Sequence, residues 1–132
     1  MRQHRGGCIV NVTSIGGLIN GAPLTPYNAS KWALEAVSEA LAGEMKTFNV
    51  RVLIVEPGII DTAMARRLGG QPANSPYRQQ ARFASLFEAS LKNPVPPSLV
   101  ANKILDIVDS GTWILRHLVG PMQSPSSHGA AV

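Results

Sequence analysis

Val50-Arg51-Val52-Leu53-Ile54-Val55, running into Glu56-Pro57-Gly58, is the stretch that decides the fold. Its apolar residues occupy both faces of a period-two strand, the pattern of a parallel strand covered above and below. Pro57 and Gly58 stop it sharply, because proline has no N–H to give to a ladder. Upstream, Cys8 to Thr13 is a second short apolar run rich in β-branched residues, the mark of another buried strand. Ile15 to Pro26, broken by glycines and prolines, is a loop able to wall a pocket. A helix is expected from about Pro26 or Tyr27 to Lys46, with Leu34, Val37, Leu41 and Met45 as its apolar stripe. Ala29, Ala33, Ala36 and Ala40 form a second face of small residues suited to close helix packing, and Asn49 is placed to cap the end in the left-handed region.

Beyond the deciding strand, Ile59 to about Gln80 is predicted to be a substrate-side loop with a helical turn near Thr62 to Leu68. Residues 81 to 92 form a short helix with Phe83, Leu86, Phe87 and Leu91 along one side. A linker over Asn93 to Pro97 leads to a helix capped by Ser98, running to about Ser110 with Val100, Ile104, Ile107 and Val108 inward. Trp113 to Val119 reads as a last strand, and the Ser/Pro/Gly-rich segment from Pro121 as a flexible tail.

The chemistry lies in Tyr27-Asn28-Ala29-Ser30-Lys31 together with Ser14 thirteen positions earlier. A spacing of four in a helix puts the phenol and the ammonium on one face, about 6 Å apart along the axis. A phenol titrates near 10 in water, too high for ready proton exchange at neutral pH, and a fixed cation nearby favours the phenolate. A serine hydroxyl from another segment can hold the same substrate oxygen. Taken singly, each residue has a plain structural reading: a packed helix-start aromatic, a solvated lysine, a serine ending a strand. Pro57-Gly58 alone is a turn and Thr62 alone is a helix cap.

Taken together and in this order, the residues resemble the short-chain dehydrogenase/reductase family. Ile9-Val10-Asn11-Val12-Thr13-Ser14, then Tyr27 and Lys31, then Val50 to Val55 and Pro57-Gly58-Ile59-Ile60-Asp61-Thr62 carry the match, close from Gly7 to Thr62 and looser to about Pro121. The resemblance implies an α/β fold, a partial Rossmann-like doubly wound parallel sheet of about three strands with flanking helices. It implies NAD or NADP as cofactor and a small-molecule alcohol or carbonyl compound as substrate. Tyr27 would be the general acid/base, Lys31 would supply the assisting charge and hold the nicotinamide ribose, and Ser14 would orient the substrate oxygen. Pro57, Gly58, Ile60 and Thr62 would line the nicotinamide, the Ile60 backbone meeting its carboxamide.

The family's opening strand, glycine-rich turn and helix have no counterpart, since Gly6-Gly7, Gly16-Gly17 and Gly69-Gly70 lack the fingerprint spacing. A complete domain of this type needs about 250 residues, against 132 here. The expectation is therefore a C-terminal catalytic part over residues 1–120, lacking the N-terminal dinucleotide-binding half, with dinucleotide affinity weakened or lost. Residues 121–132 would be its tail. A homo-oligomer or a complementary fragment would then cover the open strand edge and helix face. The alternative is an inactive remnant acting as an interaction module.

Composition narrows the classes further. With 45% hydrophobic residues the chain is globular in make-up. Its charge of +4 is scattered and its aromatics are 5% of residues, which argues against a nucleic-acid platform. Most of the positive residues, including Arg2, Arg5 and the Arg66-Arg67 pair, read as solvated surface. A lone Cys8 excludes an intrachain disulfide, and His4, His117 and His128 are too dispersed for a metal site. No apolar run approaches a membrane span or a signal peptide, so no membrane partner and a cytoplasmic setting are expected.

Overall fold

The computed structural model describes residues 1–19, 21, 23–70 and 75–120. Part of the expected substrate-side loop and the whole expected tail lie outside the described residues. Strand β1 (Gly7–Val12), helix α1 (Thr25–Lys46), strand β2 (Val50–Pro57), helices α2 (Ala63–Gly69), α3 (Arg78–Leu91) and α4 (Pro97–Asp109), and strand β3 (Arg116–Val119) follow in that order. A single 3₁₀ turn, Ile15–Gly17, separates β1 from α1. The three strands form one parallel sheet in the order β1-β2-β3, with Val12 opposite Val55 and Pro57 opposite Val119.

The central position of β2 explains its continuous apolar sequence. Val50, Leu53, Ile54 and Val55 are wholly buried. Leu53 and Val55 face Ile107 of α4 and Val119 of β3, with Cys8, Val10, Val100 and Ile104 at the margin. Each such aliphatic side chain contributes about 1.5–3 kcal/mol by leaving water. Arg51, on the same parity, reaches the C-terminal end of α4 and donates to the Ile107, Val108 and Thr112 carbonyls at 3.3, 2.9 and 3.2 Å. A guanidinium there satisfies carbonyls that the helix leaves unpaired. Arg51 therefore ties a helix to the sheet and is not solvated surface.

Three expectations are corrected. Helix α4 starts at Pro97 with Pro96 as its cap residue, and no side chain caps it. Proline at the first helical position presets φ and lacks an N–H that would go unpaired anyway, so Ser98 has no capping role. The last strand begins at Arg116; Trp113 and Ile114 lie before it, 49% and 66% exposed. The third concerns α1, where Val37 is 59% exposed. The buried residues of that helix are Asn28, Glu35 and Ser38. Its sheet-facing stripe is polar, flanked by half-buried Leu34, Leu41 and Met45. Asn49 does end the segment in the left-handed region, at φ 55°.

Candidate active site

Because all three strands are parallel, their carboxyl ends share one edge of the sheet, where ligands of open α/β folds bind. Ser14 follows β1, Pro57 closes β2, and Gly58 donates its N–H to Val119 O of β3 at 2.9 Å. Ser14 caps the 3₁₀ turn: its Oγ accepts from Gly16 N at 3.1 Å, and its hydroxyl points to Pro57 O at a long 3.5 Å. The serine is thus held lightly, with its proton available to a better acceptor.

Tyr27 lies in the first turn of α1, half-buried. The Lys31 Nζ is 5.8 Å from the centroid of its ring, within reach of a cation–π attraction. Lys31 also donates to Val12 O at 3.1 Å, which pins the ammonium to the end of β1. Gly16 is what lets tyrosine and serine meet. A methyl group on it would lie 3.2 Å from Tyr27 Cε1, 3.6 Å from Ser14 Oγ and 2.9 Å from Asn28 Oδ1. Ser14, Tyr27, Lys31 and Pro57 are therefore brought together.

The other expected residues divide. Gly58 sits in the sheet's edge bonding, and Ile60 is turned inward, 9% exposed, close to Gly120. Thr62 is committed as the cap of α2, its Oγ1 accepting from Ala65 N at 3.2 Å. Asp61 and Arg66 form a bidentate pair at 2.7 and 2.8 Å. The Arg66 hydrogen bond holds the Asp61 carboxyl below the usual range, and that pairing occupies Arg66.

Beneath the site lies a polar cluster that the sequence reading did not find. Thr13 Oγ1 donates to Glu35 Oε1 at 2.6 Å, and Arg116 Nε donates to Glu35 Oε2 at 3.1 Å. Arg116 also binds Glu39 at 2.8 Å and lies 3.6 Å from Glu56 Oε1, an atom that is buried without a hydrogen-bond partner. Burial first, and the Glu35 charge second, push the Glu56 carboxyl above its usual range, while Arg116 opposes them. Among the described residues no cluster of His, Cys, Asp or Glu has the make-up of a metal site. Nor, among them, is any helix long and apolar enough to cross a membrane.

The family model for short chain dehydrogenase matches residues 1–73. An oxidoreductase, BOA17, of Botryotinia fuckeliana (strain B05.10) is 36% identical over 124 residues, covering 92% of this chain and 45% of the relative. A cyclopentanol dehydrogenase of Comamonas sp. (strain NCIMB 9872) is 37% identical over 108 residues, covering 82% of this chain and 40% of the relative. The crystal structure of a short-chain dehydrogenase from Streptomyces avermitilis superposes with a TM-score of 0.70 at 32% identity. That match covers 91% of this chain and 44% of the other. The chain spans about half the length of the curated relatives it matches.

Proposed function

Because the chain belongs to the short-chain dehydrogenase family, we propose that it carries the proton-transfer machinery of an NAD- or NADP-dependent oxidoreductase acting on a small alcohol or carbonyl compound. The observation that carries this reading is the convergence of Ser14, Tyr27 and Lys31 at the carboxyl end of β1, with Lys31 Nζ 5.8 Å from the tyrosine ring. In the reducing direction Tyr27 gives a proton to the carbonyl oxygen, and Ser14 orients that oxygen. Lys31 steadies the negative charge left on the phenol. The cofactor supplies the hydride when bound; the chain positions the carbonyl and moves the proton. Pro57, Gly58 and Ile60 would line the nicotinamide, and Lys31 would meet its ribose. Thr62, whose Oγ1 accepts from Ala65 N and so keeps its own proton to donate, would line the nicotinamide as well. Residues 1–120 are assigned to this catalytic part.

Among the described residues, no glycine-rich turn leads into a helix N-terminus to receive a pyrophosphate. Calorimetric titration of the chain with NADH or NADPH is therefore expected to give affinity weaker than micromolar, above about −8 kcal/mol in binding free energy. Assays accordingly use millimolar cofactor and a panel of ketones and aldehydes. Carbonyl-dependent loss of cofactor absorbance supports the reading; none with any carbonyl or either cofactor refutes it for this chain.

A second reading, a binding module without turnover, is favoured by the exposure of one face of α1. Trp32 is 46% and Val37 59% exposed there, alongside Ala29, Ala33, Ala36 and Ala40. A second copy or a complementary segment would cover that face. The two readings separate at Tyr27, whose phenol oxygen matters only to the first.

A further inference from the structure

We infer that Glu35 is a positioning residue: held by Arg116, it fixes the Thr13 hydroxyl and through it the turn that presents Ser14 to Tyr27 and Lys31. The inference rests on the reading of Ser14 as the group that orients substrate. Lys31 and Glu35 stand one helical turn apart on the same face of α1, and they grip two successive residues, Val12 and Thr13, at the end of the neighbouring strand β1. The lysine donates to Val12 O at 3.1 Å, and the glutamate accepts from Thr13 Oγ1 at 2.6 Å. One turn further, Ser38 accepts from Asn11 Nδ2 at 2.8 Å. Three polar contacts thus fix the height and rotation of β1 against α1, immediately before Ser14.

Apolar packing alone would leave that register softer, since it has no direction. Glu35 is 5% exposed and Thr13 3%, so both are removed from water. A buried ionic pair is commonly no more stable than an apolar pair of similar volume. What this arrangement adds is orientation. Arg116, 81 positions away in sequence, completes it by donating to the second Glu35 oxygen at 3.1 Å, closer than its 3.6 Å approach to Glu56. Thr13 also keeps its N–H on Val55 O at 2.8 Å, and its hydroxyl lies 3.3 Å from that same carbonyl, a longer approach than the 2.6 Å to Glu35. The sheet sets its backbone, and Glu35 makes the shorter contact to its side chain.

Amide hydrogen exchange, followed residue by residue in the full chain, tests this without needing turnover. The Gly16 amide donates to Ser14 Oγ and the Gly17 amide to Ser14 O, so both report the turn. Leu53 and Val55 amides report the sheet. Glu35→Gln and Thr13→Val are expected to speed exchange at Gly16 and Gly17 by about tenfold relative to Leu53 and Val55. Thr13→Ser, which keeps the hydroxyl, should restore wild-type exchange. If Glu35→Gln does not fold, Thr13→Val decides alone, because it leaves the Glu35–Arg116 pair in place. Unchanged glycine exchange, or an equal rise throughout the sheet, overturns the inference. Its failure is distinct from failure of the functional reading, which would appear as carbonyl reduction unaffected by Tyr27→Phe.

Discussion

Tyr27→Phe is expected to lower carbonyl-dependent turnover by about a hundredfold to ten-thousandfold, the range that a positioned proton donor contributes. Only the phenol oxygen is lost. The ring keeps its place beside Gly16 and Lys31, so the variant should unfold at the wild-type temperature. The loss should fall on kcat and on kcat/KM alike, because the proton moves in the transition state and not on binding. Initial rates and thermal unfolding of the two chains check this together. A rate loss accompanied by a lowered melting temperature would point to damage to the fold, and an unchanged rate would contradict Tyr27 as the proton donor.

Arg116→Met should give the largest change in stability. The guanidinium lies between side chains of Glu35 and Glu56 that are 6% and 1% exposed. Its removal leaves two carboxyl groups buried close together with no cation between them. Breaking such a buried pair costs about 3 kcal/mol, at the low end of the usual range because Arg116 is itself 39% exposed. For a chain of this length that corresponds to a fall of about 10 °C in Tm.

The deficit should depend on pH in a defined direction. Glu56 already has its folded pKa raised above the unfolded value by burial, and Arg116 is the one cause that lowers it. A raised carboxyl binds more protons folded than unfolded, so stability falls as pH rises through the window between the two values. Below that window the group is protonated in both states and the penalty vanishes. The difference in Tm between wild type and Arg116→Met should therefore widen from acid towards neutral pH. Adding Glu56→Gln to the variant should narrow it again. A deficit constant across pH would contradict this account of the cluster.

The legible parts of the molecule were those where residue type and burial agree. Val50 to Val55 is apolar and lies buried at the centre of the sheet. The run before Thr13 pairs with it as expected, but its expected burial is corrected: as an outer strand it has no buried residue, and Val12 is 42% exposed. Ser14, Tyr27 and Lys31 were singled out through their order and spacing; the ammonium lies 5.8 Å from the tyrosine ring and Gly16 stands beside both Tyr27 and Ser14. The inward face of α1 was not, because hydrophobic periodicity presumes that a helix turns apolar residues to the sheet. Here Asn28, Glu35 and Ser38 do that work by bonding the backbone turn and β1. A signal was present, in that Lys31, Glu35 and Ser38 recur at intervals of four and three. Its acceptors and donors lie in another segment, however, and Arg116 is 81 positions away. The role of Arg51 was not legible for the same reason, since the carbonyls it binds belong to a helix end more than fifty residues on.

Transfer of label from cofactor to product tests the acid/base account most directly. The chain would be given NADH or NADPH carrying deuterium at nicotinamide C4, with a ketone from the panel, and the alcohol examined by mass spectrometry. One deuterium on the carbinol carbon is the predicted result, with the amount of labelled alcohol at least about a hundredfold lower from Tyr27→Phe than from the wild-type chain. Alcohol formed without label, or labelled alcohol formed in equal amount by both chains, would contradict it.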